Sequence, residues 1–290
     1  MWFYAALATA VISGGYTVYS KHTLKNTDPF VFYWAVMTTS IPFVFIFSYQ
    51  DGIPNLSYPF FIGIVGSVVF YTISKVIFYH SIKNAVLSHV YPLISIGPVF
   101  TLLFSMLFLS ERLSGLEIVG GGITLFGTYM LNISSAKEGI LEPFKILIRN
   151  KFALMMLVSV LIGSVVMIFD KVAVNNMSPQ NTSFALLAEN LLIAFGLLPY
   201  ILIKKKSELR EIFAHKGNVL ALAALNAASN LLAFLALGSG NPGIISSILR
   251  TQVFFVLLFS FIFFKDRPKR DTLLASIVMI LGLVVLKLAS

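Results

Sequence analysis

Apolar runs of bilayer length recur along this chain, and they decide its class. A helix needs about 20 mostly apolar residues to cross the hydrocarbon core. The sequence offers ten such runs, at 2–20, 29–49, 59–80, 88–109, 116–133, 152–174, 182–203, 218–238, 243–264 and 272–288. Backbone groups must be satisfied inside lipid, so helices are the natural form; barrel strands would be half as long and alternate in polarity. Of the 290 residues, 58% are hydrophobic and 11% charged, against about 25% charged in an average soluble domain. A solvated exterior cannot be assembled from so few polar residues. The reading is an all-α integral membrane protein with ten transmembrane helices. The opening MWFYAALATAVISGGYTVYSK lacks a basic leader and a small-residue cleavage site, and is expected to be a retained first span. The chain has no cysteine, which excludes disulfides, thiolate metal sites and cysteine nucleophiles.

The net charge of +9 does not imply a nucleic-acid partner, because its distribution carries a topology signal. Of the 21 Lys and Arg, 16 fall on one side of the spans, side B. Three (Arg112, Lys171 and Lys287) fall on side A, which holds both termini, while Lys75 and Arg250 lie within spans. The positive-inside bias puts side B in the cytoplasm and both termini outside a multi-pass plasma (inner) membrane protein.

The two halves repeat. LLFSMLFLSERL (102–113) aligns with LLFSFIFFKDRP (257–268) at an offset of 155, which continues through Tyr71 with Asn226, Lys75 with Asn230 and Gly127 with Gly282. Upstream the offset is 150, pairing Lys21 with Lys171 and Pro29 with Pro179. An odd number of spans per half inverts one half relative to the other. The expected organisation is a 5+5 inverted repeat: residues 1–135, a connecting segment 136–150, and residues 151–290. Such repeats place a substrate near the midplane at their interface and work by alternating access.

FLSERLSGLEIVGGGITLFGTYML (108–131) and FFKDRPKRDTLLASIVMILGLVVL (263–286) resemble the EamA type of the drug/metabolite transporter superfamily. There, a turn with glycine and glutamate precedes a helix with a mid-span glycine, matched here by Gly127 and Gly282. Ser110 and Lys265 replace the usual turn glycine, and Asp266 replaces the second glutamate. The resemblance implies export of small metabolites or drugs, with protons as a candidate coupling ion.

Ionisable residues inside spans are the first functional candidates. Arg250 lies about seven residues into span 9 and Glu189 about seven into span 7, both from side A, so they share a depth near 10 Å at 1.5 Å per residue. Pairing, directly or across a cavity, keeps both charged in low dielectric; an arginine snorkelling to the interface is the alternative. Tyr71, Lys75 and Tyr79 are four apart and form a stripe of donors and aromatic faces, although Lys75 is close enough to side B to snorkel. Asn226 and Asn230 are their repeat partners, as pocket or as interhelical glue. Trp34, with Tyr33 and Tyr16, is a further pocket candidate that packing alone would explain. His80, His89 and Tyr91 are a weaker, pH-sensitive group. Asp170–Lys171 reads as an interfacial pair, and Gln252 as projecting away from Arg250.

H-E-x-x-H, G-x-S-x-G and Walker A motifs are all missing, and no enzyme, cofactor or metal is implied. The expected function is export of small organic solutes such as amino acids or related metabolites, by a monomer or homodimer. Proton-coupled efflux of cationic drugs is the alternative within the class, and an intramembrane lipid-modifying enzyme the alternative outside it.

Overall fold

Short polar residues set the starts of the helices. Asp28 Oδ1 accepts from the amides of Phe30 and Val31 at 2.9 and 3.1 Å at the start of the helix Pro29–Gln50, and Asn150, Asn181 and Asn241 cap three later helices in the same way. Ser114 and Glu117 exchange bonds across each other's amides at 2.7 and 3.2 Å, a reciprocal capping box. The computed structural model describes residues 1–25, 27–50, 52–85, 93–94, 97–110, 114–133, 150–214 and 216–264, with single helical positions between 274 and 288. The helices are α1 (Trp2–Leu24), α2 (Pro29–Gln50), α3 (Tyr58–Asn84), α4 (Gly97–Phe108), α5 (Gly115–Ile133), α6 (Lys151–Asn175), α7 (Thr182–Lys204), α8 (Lys206–Ala214), α9 (Lys216–Ser239), α10 (Pro242–Leu249) and α11 (Gln252–Phe264). Five of them, α2, α3, α6, α7 and α9, are long and apolar enough to cross a membrane.

Polarity is arranged inside out relative to a soluble protein. Phe45, Phe47, Phe61, Val65, Phe195 and Ile203 are exposed, whereas Ser67, Asp170, Glu189 and Asn226 are buried. Such a surface suits hydrocarbon rather than water. Helices of one half pack on helices of the other: α3 runs along α6, α1 along α9 and α11, and α2 along α7 and α9. Small residues set the α3–α6 distance. A Cβ at Gly63 would stand 2.7 Å from the Ala173 amide nitrogen, and one at Gly66 would meet the Phe169 ring.

At one end, two-residue strands β1 (Asn55–Leu56) and β2 (Met177–Ser178) pair antiparallel, Asn55 opposite Ser178. This holds the α2–α3 and α6–α7 connections on a common side, as the alternation of spans requires. At the other end Lys205 bridges to Asp28 at 3.0 Å.

Two expectations change. Span 9 is not one helix: it breaks at Arg250–Thr251 into α10 and α11. The amides of Thr251, Val253 and Phe254 bond three residues back, to Ile248, Arg250 and Thr251, so the chain tightens into a 3₁₀-type turn there. Of the run expected at 88–109, Gly97–Phe108 is helical and residues 93–94 form a 3₁₀ turn, while 88–92 and 95–96 lie outside the described residues. The 204–217 connection carries its own helix, α8, whose sequence KSELREIFA is amphipathic. The expected connecting segment 136–150 lies outside the described residues apart from Asn150.

Candidate functional site

A cavity of about 240 Å³ opens between the two halves. Its walls come from α1, α3, α6, α7, α9 and the α10–α11 turn. One end is acidic. Ser67 of α3 reaches Asp170 of α6 and, at 2.8 Å, Glu189 of α7. Ser67 is fully buried, Asp170 is 8% exposed and Glu189 3%. The two carboxyl groups are thus joined through one hydroxyl in a nearly waterless setting.

The other end is basic. Lys75 lies two turns along α3 from Ser67. Its Nζ sits 5.1 Å from the centre of the Tyr71 ring and 5.6 Å from that of Phe78. These faces stabilise a desolvated ammonium, and Lys75 also interacts electrostatically with Arg250 and Glu189. It faces the cavity rather than the membrane surface. Arg250 occupies the break in span 9 and lays its guanidinium against Gly97, where a Cβ would stand 2.7 Å from Nη2. Ser74 donates to the Ser159 carbonyl at 2.9 Å beside it, fastening α3 to α6.

The third wall is amide and hydroxyl. Asn226 donates to Ser40 Oγ at 3.3 Å and accepts from Asn230 at 3.1 Å, while Ser13 and Ser229 share a 2.6 Å bond. The cavity therefore offers carboxylates, cations, amides and aromatic faces to one small solute. The sequence model of the EamA-like transporter family matches residues 1–133 and 150–288, as two copies that take in nearly the whole chain. The chain belongs to the EamA-like transporter family. It is accordingly a membrane transporter of the drug/metabolite type, and that family consists of transporters rather than enzymes. A solved structure described only as the crystal structure of a protein superposes with a TM-score of 0.69. It covers 99% of this chain and 95% of its own at 16% identity, which shows the fold alone. No curated protein matches the sequence.

Of the site residues read from the sequence, Tyr71, Lys75, Glu189, Asn226, Asn230 and Arg250 line the transporter's cavity together. Glu189 and Arg250 share it, but no salt bridge joins them among the described residues; the direct partner of Glu189 is Ser67. Tyr79 does not belong to the stripe. Steps of four residues drift by about 40° each on a helix of 3.6 residues per turn. By Tyr79 the side chain has turned away from the cavity, where its hydroxyl bonds Tyr16 at 2.6 Å and its ring packs edge-on to Phe32. Extending the stripe backwards instead, to Ser67, finds the acid end. Trp34 is likewise a packing residue, its Nε1 donating to the Ala194 carbonyl at 2.9 Å to lock α2 on α7. Tyr33 is buried and bonds Thr72 at 3.3 Å, whereas Tyr16 does reach the cavity.

Asp170 and Lys171 are not an interfacial pair. They project about 100° apart from α6: Asp170 enters the cavity, and buried Lys171 donates to the carbonyls of Leu237 and Gly240 at 2.7 and 3.0 Å. Both side chains are buried. Gln252 also lines the cavity, because the 3₁₀ turn after Arg250 alters the facing that an unbroken helix would give. His80 is exposed; His89 and Tyr91 lie outside the described residues.

Proposed function

We propose that this transporter exports small organic solutes, amino acids or related metabolites among them, by alternating access at the interface of two inverted five-helix repeats, residues 1–135 and 151–290. One observation carries the reading: a single cavity between the halves presents carboxyl groups at one end and Lys75 and Arg250 at the other. A zwitterion satisfies both, its ammonium toward Asp170 and Glu189 and its carboxylate toward the cations. The repeat has support in helix boundaries. At the offset of 155 read from the sequence, the starts of α4 and α11 (Gly97, Gln252) and the ends of α3 and α9 (Asn84, Ser239) coincide. Tyr71 and Lys75 supply an aromatic and cationic surface, Asn226 and Asn230 a neutral hydrogen-bonding one. The chain sits in the plasma membrane with both termini outside, on the Lys/Arg asymmetry.

A second reading, proton-coupled efflux of cationic drugs, is favoured by Asp170, which adds a carboxyl group to Glu189 in the cavity. Uptake into proteoliposomes from a panel of amino acids, organic cations and phosphorylated metabolites separates the two. Accumulation of zwitterions supports the first, and accumulation of organic cations alone supports the second. Cysteine introduced at Asn55 of the cysteine-free chain should react with an impermeant reagent in intact cells, and cysteine at Ser207 should not; the reverse pattern rejects the orientation.

A further inference from the structure

Ser67 sits between two acids with one hydrogen to give. Its hydroxyl oxygen is 2.8 Å from Glu189 Oε1 and also within hydrogen-bond distance of Asp170 Oδ1. Were both carboxyl groups ionised, the hydroxyl hydrogen would serve one of them, and the lone pairs of Oγ would face a negative oxygen on the other. Ionised carboxylates are acceptors only, whereas a protonated one donates. One added proton completes the chain: the protonated carboxyl donates to Ser67 Oγ, and Ser67 donates to the remaining carboxylate. A second added proton would leave a carboxyl hydrogen competing for the same bridge.

We propose that Asp170, Ser67 and Glu189 form a binding site for a single proton, and that an ammonium group entering the acid end of the cavity displaces it. The exchange balances. The O–H bond of the protonated carboxyl breaks, its hydrogen leaves as H⁺ to water, and the electron pair stays on the carboxylate. The pair then carries two negative charges against one ammonium, the same net charge as before. The titratable groups around it come from every packed element: Lys75 and Tyr71 on α3, Tyr16 on α1, Tyr33 on α2 and Arg250 at the α10–α11 turn, while α9 contributes neutral Asn226 and Asn230. Lys171 on α6 is turned away toward the α9 terminus. Lys75 interacts electrostatically with Glu189, and a positive charge there disfavours a second proton.

The displacement step rests on the transport reading above; the proton site itself does not. Infrared difference spectroscopy on the purified chain in detergent, titrated with acid and base alone, tests it without a substrate. At neutral pH the protein should show one deuterium-sensitive protonated-carboxyl band per chain. Glu189→Gln and Asp170→Asn should each abolish the band, since the remaining carboxylate then takes the Ser67 hydrogen. Both replacements are near-isosteric and remove a like charge, and the wild-type band count stands without either of them. No band or two bands in the wild type, or a band that survives both single substitutions, overturns the proposal. Loss of transport of every solute in the panel, with the band behaving as described, would refute the transport reading and leave the proton site intact.

Discussion

At the acid end of the cavity three unbroken helices meet: α3, α6 and α7, of 27, 25 and 23 residues. At the basic end Lys75 also belongs to α3, but Arg250 stands where span 9 is broken, after the 8-residue α10 and before α11. Ser67, Asp170 and Glu189 are therefore fixed by long elements in backbone contact, while Arg250 hangs on a 3₁₀ turn between two half-helices and rests on the first residue of a third. A mid-helix tightening of this kind is a common hinge. On the proposed alternating-access reading, the contrast divides labour within one site between a rigid end that anchors charge and an articulated end that would follow the solute. Interior glycines make the difference testable, because each end has one whose missing side chain defines the contact.

The largest effect is expected at Gly63. A Cβ there meets the backbone of Ala173, which cannot turn aside. Gly63→Val should force α3 and α6 apart and lower stability by about 3 kcal/mol, the upper end for overpacking, with loss of transport because Ser67 no longer spans the acids. At Gly97 a Cβ meets a guanidinium at the same 2.7 Å, but this neighbour is the end of a flexible side chain. Gly97→Ala should change stability by no more than about 1 kcal/mol and still impair transport by displacing Arg250. Thermal unfolding in detergent with parallel flux measurements checks both. Equal destabilisation at the two positions would remove the distinction between a rigid and an articulated end.

Double-mutant cycles sharpen the comparison at a smaller scale. Groups in one hydrogen-bonded network couple by about 0.5–3 kcal/mol, whereas separate sites add to within roughly 0.5 kcal/mol. Asp170→Asn with Glu189→Gln should be strongly non-additive. Glu189→Gln with Arg250→Met should be near additive, since the shared depth of those residues places them in one cavity rather than in one ion pair. Stronger coupling across the cavity than across Ser67 would mean that the charges meet directly.

The membrane class was legible because burial in lipid forces long apolar runs, and five helices of spanning length lie on the expected ones. Lys75, Glu189, Asn226, Asn230 and Arg250 were legible as cavity residues too, because charges and amides have few other reasons to sit mid-span. What escaped was facing and partnership. Ser67 looks like any small helical residue, and its importance comes from two acids on other helices. Asp170 was hidden by its neighbour Lys171, since adjacent charges suggest an interface until the helix is seen to turn one to the cavity and the other to the carbonyls of Leu237 and Gly240. The break at Arg250 carries no proline or glycine at the turn itself, so an apolar run reads straight through it. Tyr79 and Trp34 lie off the cavity, which the sequence leaves open because aromatic rings with polar tips serve packing and binding equally well.

The smallest effect tests how firmly the rigid end is held from outside the cavity. Helix α7, which carries Glu189, is followed by Lys205, whose Nζ donates to Asp28 Oδ2 at 3.0 Å; Asp28 Oδ1 meanwhile caps α2. The bond from Asp28 raises the ammonium pKa of Lys205 above its usual value, and the nearby Glu208 adds to this. A raised pKa in the folded state gives stability that is fully present below the unfolded lysine pKa, about 10.4, and is lost as pH rises through the folded value. Both side chains are about a quarter exposed, at 25% and 24%, so water screens the pair and its contribution should be at most about 1 kcal/mol. Asp28→Asn keeps the cap, because asparagine accepts from the same amides, and removes only the charge. Wild type should therefore be slightly more stable than Asp28→Asn near pH 8, with the gap closing as pH is raised past 10.4. A gap that stays constant to high pH would assign the effect to the α2 cap, and α7 would then be held by Ser67, the Trp34–Ala194 bond and its packing on α2, α3 and α9 rather than by this ion pair.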